Sequence, residues 1–270
     1  MTKLKCLLGV AVLLLASASI ISGFDISGGV IDKAIPPGGH ISHEVTITAT
    51  DSDVPSNLSS EVKGIIVSLD GSTTSTSADK DDYSYSARSF LSVSPTSFQL
   101  EPGDSQTVLL EGDIPDDIGP GTRYAILSIL STPISDSGKG ASTTVLGQVN
   151  LPIIIDIQGT DQIRTGDISD LKLEEPSSAN NQKLSLIFEN TGNTQFRAMV
   201  KADLLDENGN VTYSTSGPLS VAAILPGTSR LFEFAITPDE ELEPGSYAIN
   251  ATITLQDGSV LAYKEMEFEI

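Results

Sequence analysis

The chain has 270 residues, room for two domains that each bury a core, and carries 36 acidic against 15 basic residues for a formal charge of −21. A surface of that sign repels phosphate backbones and anionic lipid, which excludes nucleic acid and membrane surfaces as partners. The single cysteine, Cys6, excludes a disulfide framework and a thiolate metal centre.

Residues 1–23 read as a signal peptide. Lys3 and Lys5 form a basic start, Cys6 to Leu15 is an apolar-or-small run, and Ala16-Ser17-Ala18 supplies the small residues of a cleavage site. The alternative is an uncleaved anchor. Cleavage removes Cys6 and leaves an exported chain without thiols, with 13 basic against 36 acidic residues. Secretion to the cell surface, with no membrane insertion of the mature chain, is the resulting expectation.

Beyond residue 23 the pattern is short alternating runs separated by Gly, Pro, Asn and Asp. Ile41, His43, Val45, Ile47 and Ala49 share one face of a strand. Lys63 to Leu69 is a second β-rich run, closed by Asp70-Gly71, and the Ser/Thr/Asp patch from Ser72 to Asp82 reads as an exposed loop open to O-glycosylation. Thr107 to Leu110 and Tyr124 to Leu130 follow. Val149, Leu151, Ile153, Ile155 and Ile157 alternate in a long strand, in which Pro152 requires an open edge or a bulge.

The polar stretch 158–169 reads as a linker. After it, Leu184, Leu186 and Phe188 form a strand ending in Asn190-Thr191-Gly192-Asn193, and Asn208-Gly209 and Asp257-Gly258 are hairpin turns. The last strand alternates Met266, Phe268 and Ile270 with Glu265, Glu267 and Glu269. The predicted architecture is all-β, two tandem immunoglobulin-like Greek-key β-sandwiches over 24–157 and 170–270.

One phrase occurs twice. Leu100-Glu101-Pro102-Gly103 is followed by Pro115-Asp116, Pro120-Gly121 and Tyr124-Ala125-Ile126; Leu225-Pro226-Gly227 is followed by Pro238-Asp239, Pro244-Gly245 and Tyr247-Ala248-Ile249. The spacing from Pro-Gly to Pro-Gly is the same in both, as a duplicated β unit requires. Each tyrosine is placed to pack inward and reach corner backbone with its hydroxyl.

Val93-Ser94-Pro95-Thr96-Ser97-Phe98-Gln99-Leu100-Glu101-Pro102-Gly103 with Gly121-Thr122-Arg123-Tyr124-Ala125 resembles the first immunoglobulin-like domain of exported pilus-chaperone-like proteins, closest to surface proteins that interact with WxL domains. Phe188 to Asn193 and Ile224 to Arg230 are similar to the second sandwich of such chains. The resemblance implies a two-sandwich extracytoplasmic protein that binds other envelope proteins. It also marks a departure: pilus chaperones hold a subunit carboxylate with basic cleft residues, whereas Ala141 to Gln158 contains no Lys or Arg.

No catalytic, metal or cofactor site emerges. His40 and His43 read as ordinary strand positions, and no Gly-x-Ser-x-Gly elbow is present. Asp206 to Asn210 carries its glycine at the wrong place for an EF-hand, and Asp51, Asp53, Asp79, Asp81 and Asp82 read as solvated loops. Tyr83 and Tyr85 are candidate exposed aromatics. Sequons at Asn57 and Asn210 fall in or beside predicted loops, and a third at Asn250 falls inside a strand. The function expected is a non-enzymatic structural or adhesive module that binds other cell-surface proteins through a strand edge at Asn150, Pro152 and Ile154. The alternatives are an assembly chaperone and a calcium- or glycan-binding module.

Overall fold

A computed structural model describes residues 24–134, 147–174, 176, 182–217, 220 and 222–270. The signal peptide expected at 1–23 lies outside them. Ten strands form the first domain: β1 (Asp25–Ser27), β2 (Ile31–Ile35), β3 (His40–Thr48), β4 (Ser56–Val67), β5 (Thr73–Thr76), β6 (Leu91–Ser94), β7 (Ser97–Leu100), β8 (Ser105–Asp113), β9 (Thr122–Pro133) and β10 (Gly147–Ile157). One sheet has the order β1-β3-β8-β6; the other is β2-β10-β9-β4-β5, with β7 also on β4. The second domain contains β11 (Gly166–Glu174), β12 (Gln182–Asn190), β13 (Ala198–Leu205), β14 (Val211–Ser216), β15 (Ser229–Ile236), β16 (Ser246–Leu255) and β17 (Val260–Glu269). Its sheets are β11-β12-β15 and β14-β13-β16-β17. The chain is therefore two tandem immunoglobulin-like β-sandwiches, as the turn spacing predicts.

The alternation places the cores. Val45, Ile47, Val108 and Leu110 meet Leu127, Ile153, Ile155 and Ile157 across the first sandwich, all essentially inaccessible. In the second, Phe188 packs edge-on against Phe196 at 6.1 Å between ring centroids, and Leu184, Leu204, Ile249 and Phe268 fill the other end. Each such side chain contributes about 1.5–3 kcal/mol by leaving water. The chain crosses between sheets after β1, where Gly28 has φ +74° and a Cβ would lie 2.3 Å from the Glu44 carbonyl oxygen, so only glycine fits. A second crossing separates β6 from β7, at the cis Ser94–Pro95 bond.

The twice-written phrase marks the same two strands in each domain. In the first, the Gly103 amide donates to the Ala49 carbonyl at 3.0 Å while the Ala49 amide donates to Asp104 at 2.8 Å. In the second, Gly227 donates to Asn190 at 2.8 Å while Asn190 donates to Thr228 at 3.0 Å. Both turns need positive φ, +85° at Gly103 and +69° at Gly227. The strands that follow, β8 and β15, belong to one sheet, and the next, β9 and β16, to the other.

At β9 and β16 the copies diverge. Thr122 donates its hydroxyl to Asp156 at 2.6 Å, and Ser246 donates its hydroxyl to Glu269 at 2.5 Å, which equates the two strand starts. From that common point the first copy reaches its tyrosine one residue later, because Arg123 is extra. A strand alternates with period two, so one extra residue turns the whole phrase over. Tyr247 and Ile249 face the second core, and Tyr247 donates to the Glu243 carbonyl at 2.9 Å, the corner contact expected. Tyr124 and Ile126 point outward instead, and the corner role predicted for Tyr124 is not realised: its hydroxyl is buried without a well-formed hydrogen bond. The same alignment sets Glu267 of β17 in the place of Ile154 of β10.

Other expectations change as well. The linker expected to end at residue 169 ends before Gly166, because 166–169 extend β11 by pairing with Asn190 through Phe188. The patch 72–82 is not one exposed loop. Residues 73–76 pair with the end of β4, and the Asp81 carboxylate is buried over Gly64, accepting from Ser86 at 2.6 Å and Arg88 at 3.2 Å. Asn57 does not sit in a loop; it lies within β4, paired to Gln99 and Thr132, although its side chain is exposed. Asn210 is in the expected turn, its amide donating to Asp206 at 3.0 Å.

Tyr247→Phe should lower stability by about 1 kcal/mol through loss of its hydrogen bond. Tyr124→Phe should be neutral or stabilising, since it removes a buried hydroxyl that lacks a good partner. Denaturant midpoints of the two variants measure the contrast, and equal losses would contradict the turned phase of β9.

Candidate functional site

The outward face of β9 is where the two domains meet. Tyr124, Ile126, Ile65 of β4 and Leu225 form a buried apolar cluster, with Ile154, Val67, Tyr83 and Tyr85 packed against it. Leu225 belongs to the second domain and to the second copy of the repeated phrase. The cluster walls a cavity of about 270 Å³ that Asn150, Pro152 and Ile154 of β10 line on one side and Gln195 on the other.

Hydrogen bonds fix the domains around this cavity. The Thr122 amide donates to the Asn193 carbonyl at 2.9 Å, and the Thr122 and Thr194 hydroxyls are 3.1 Å apart. Gly121 stands against the same carbonyl: a Cβ there would lie 2.1 Å from it. Asn193 also clamps the linker, accepting from Ile163 at 2.7 Å and donating to Asp161 at 2.9 Å. Asn190, fully buried, donates to Thr194 and Ile224 carbonyls and accepts from the Gly192 amide, which shapes the loop that carries Asn193. On the far side, the Leu231 amide donates to the Leu69 carbonyl at 2.8 Å, and Arg230 donates to the Asp70 carbonyl.

Tyr83 and Tyr85 are not exposed platforms. Their hydroxyls cross the joint, Tyr83 to the Pro226 carbonyl at 2.9 Å and Tyr85 to the Gly192 carbonyl at 3.3 Å. Tyr83 and Tyr124 rings lie 6.3 Å apart, and the Arg123 guanidinium sits 5.2 Å from the Tyr85 ring centroid. The donors of Arg123 go to the carbonyls of Ile118, Gly119, Pro120 and Thr122. Burial lowers its pKa from the usual arginine value. It braces its own turn and has little left to offer an anionic group.

The strand expected to be an edge is an edge over half its length. β2 pairs in parallel with Ile153–Ile157 only, while β9 pairs with residues 147–156. Gly147–Pro152 therefore have one neighbour among the described residues, and this stretch includes Asn150 and Pro152. Ile154 is not an edge residue: it pairs with Asp32 on one side and Tyr124 on the other, and what it offers is a side chain on the cavity wall. Beside the open half, Leu130 and Val149 are 36% and 41% exposed.

His40 bonds Asp113 at 2.7 Å and His43 bonds the Gly28 carbonyl at 2.7 Å, so both serve the local strand edge. Among the described residues no group of three His, Cys, Asp or Glu is placed to hold a metal ion, and no helix is long and apolar enough to cross a membrane. Sequence reasoning missed Arg123, Asn190, Asn193, Gln195 and Leu225. The signal for Arg123 was present, as the one-residue difference between Pro-Gly-Thr-Arg-Tyr and Pro-Gly-Ser-Tyr. The others act through contacts between domains, which no local pattern encodes.

No protein-family model matches the sequence, and no curated protein does. Several solved structures resemble the chain, among them fimbrial chaperones, a PapD-like domain and an MSP family member. A chaperone–tip adhesin complex of CFA/I fimbriae biogenesis is 15% identical, with a TM-score of 0.44 over 92% of this chain and 98% of that one. The class 5 fimbriae chaperone CfaA gives 16% and 0.41 over the same shares. The Escherichia coli chaperone DraB gives 13% and 0.38, again over 92% and 98%.

Gly121→Ala should loosen the joint, because φ is +96° and the Asn193 backbone leaves no room. A loss of about 1–3 kcal/mol is expected. Gly245→Ala, with nothing within 4 Å, should stay within about 0.5 kcal/mol of wild type. Thermal unfolding with small-angle scattering would read both effects. The phenols supply a second test. Burial, the largest cause, raises the pKa of Tyr83 and of Tyr124 well above the ordinary tyrosine value near 10. A raised folded-state pKa contributes stability that is complete below the unfolded value and is lost as pH climbs toward the folded one. Stability should therefore fall above about pH 10, while Tyr83 and Tyr124 resist phenolate formation in the ultraviolet. Normal titration of both would refute the buried joint.

Proposed function

We propose that the chain is an exported, non-enzymatic protein-interaction module that holds an extended segment of another cell-envelope protein. The segment adds to the open half of β10 and lowers an apolar side chain into the cavity between the domains. The observation that carries this reading is the continuity of the two features. Among the described residues Gly147–Pro152 leave one side of their backbone unpaired, and Asn150, Pro152 and Ile154 of the same strand line the 270 Å³ cavity. Backbone pairing supplies affinity in such a mode and the side-chain pocket supplies selectivity. Exposed Leu130 and Val149 beside the edge extend the apolar contact. A long unprotected edge with apolar neighbours is an aggregation hazard unless something covers it.

An assembly chaperone is the second reading, and it uses the same surface. It differs in time: a structural module retains its segment, whereas a chaperone gives it up to the next subunit. Arg123, which stacks on Tyr85 at the joint, has its donors committed to carbonyls, so a chaperone of this build would hold its client by edge pairing and apolar contact.

A synthetic ten-residue peptide of alternating valine and threonine tests the mode. It should slow hydrogen exchange of amides in 147–152, and Ile154→Glu should weaken its binding at least tenfold. β17 carries Glu267 at the matching place, so that variant is compatible with the strand. Unchanged affinity with the fold intact would defeat the proposal. Displacement of bound peptide by a second, stronger strand within minutes favours the chaperone reading, and retention favours the module.

A further inference from the structure

None of the described residues that line the cavity between the domains is charged, in a chain with 36 acidic residues. A charged side chain would lose its water there without gaining a counter-charge, so the occupant is neutral. Ile65, Tyr124, Ile126 and Leu225 are buried and form an apolar floor. A strand paired to the open half of β10 lies about 4.8 Å from it, and β9 lies as far on the other side. A side chain from that strand must pass over the width of β10, across Pro152 or Ile154, before it touches Ile126. Valine and leucine are too short for that, whereas an aromatic ring is long and rigid. A dry cavity of about 150 Å³ takes up benzene, and this one measures about 270 Å³. The far wall is polar at Gln195. Its neighbours Thr194 and Phe196 are buried, Asn190 donates to the Thr194 carbonyl at 2.9 Å, and Phe196 exchanges backbone hydrogen bonds with Ile224. Gln195 itself is half-buried, and its side-chain amide makes no hydrogen bond among the described residues. Asn150, the amide on the β10 side, already accepts from Gln148 at 3.0 Å.

We infer that the cavity binds a phenol, the side chain of a tyrosine carried by the protein partner. The ring covers the apolar floor beside Tyr124, and the hydroxyl meets the Gln195 amide, which can both donate and accept. A buried phenol hydroxyl needs such a partner. Phenylalanine fills the same space and leaves the amide unanswered. One residue of the second domain thereby selects what the first domain holds. The inference rests on the pairing reading above for the segment that carries the tyrosine; the preference for a phenol stands on the walls of the cavity.

Para-cresol, a tyrosine side chain without its backbone, is the probe, and toluene is its counterpart without the hydroxyl. Each is titrated into the full chain, with the amide shifts of Ile154 and Gln195 as the readout. Saturable shifts are expected for para-cresol, at a concentration at least fivefold lower than for toluene. Gln195→Leu keeps the size of the side chain and removes its hydrogen bonds. It should weaken para-cresol at least fivefold and leave toluene bound as tightly or more so. Circular dichroism checks the fold, and Gln195→Met gives the same comparison if the leucine variant unfolds. In the alternating peptide, tyrosine in place of each valine in turn should strengthen binding at least fivefold at one position, and phenylalanine there should gain less. Shifts that stay linear in para-cresol, equal affinity for toluene, a preference that survives Gln195→Leu, or a bound peptide that gains from tyrosine at no position would each overturn the phenol site. Selective para-cresol binding by a chain that does not take the peptide keeps the phenol site and removes the pairing reading. Peptide binding without a para-cresol site does the reverse.

Discussion

The phase of β9 is the constraint on which the rest of the molecule depends. A strand has two faces and a period of two, so a single inserted residue decides which set of side chains the core receives. With Arg123 inserted, Ala125, Leu127 and Ile129 fill the first core while Tyr124 and Ile126 turn to the second domain. The apolar outer face this creates could not stay in water; Tyr83, Tyr85 and Leu225 cover it at one end. The inserted residue is itself a long cation at the joint, and its guanidinium is spent on four carbonyls of the turn before β9. Packing and electrostatics are thus both settled by one position.

Duplication supplied the scaffold and the divergence supplied the cleft. Gly103 and Gly227 perform the same task in both copies, with the same pair of backbone hydrogen bonds. Gly121 and Gly245 do not. The first lies against the Asn193 backbone with positive φ, while the second meets nothing within 4 Å. Leu225 shows the same change of use, since a residue of the second copy becomes a wall of the cavity between the domains.

Most of the fold was legible because it is written locally. The alternation of Ile153, Ile155 and Ile157 names their core face, and Gly209 and Gly258 close the hairpins their neighbours announce. The open edge was legible in part. Pro152 signals a missing ladder donor, and among the described residues β10 is single-sided at that point, but nothing in its own sequence reveals that β2 begins to pair at Ile153. The joint was not legible at all. Asn193 looks like any turn asparagine until its carbonyl meets Thr122, 71 positions earlier in the chain. The Ser/Thr patch at 72–82 misled for a related reason: composition describes solubility, whereas the end of β4 offered residues 73–76 a partner.

The two last strands of the sandwiches carry the argument one step further. β10 and β17 occupy equivalent places, next to β9 and β16, and their outward faces can be compared position by position from the Asp156 and Glu269 contacts. β17 shows Glu265, Glu267 and Glu269, so a strand approaching it would bring its side chains against three carboxylates. That is the ordinary way to keep an edge from pairing. β10 keeps the last acid, as Asp156, and replaces the other two with Pro152 and Ile154. A chain this acidic does not lack glutamates to place there. Their absence from this face, beside the cavity and between Leu130 and Tyr124, is the pattern that the proposed pairing at the open half of β10 requires.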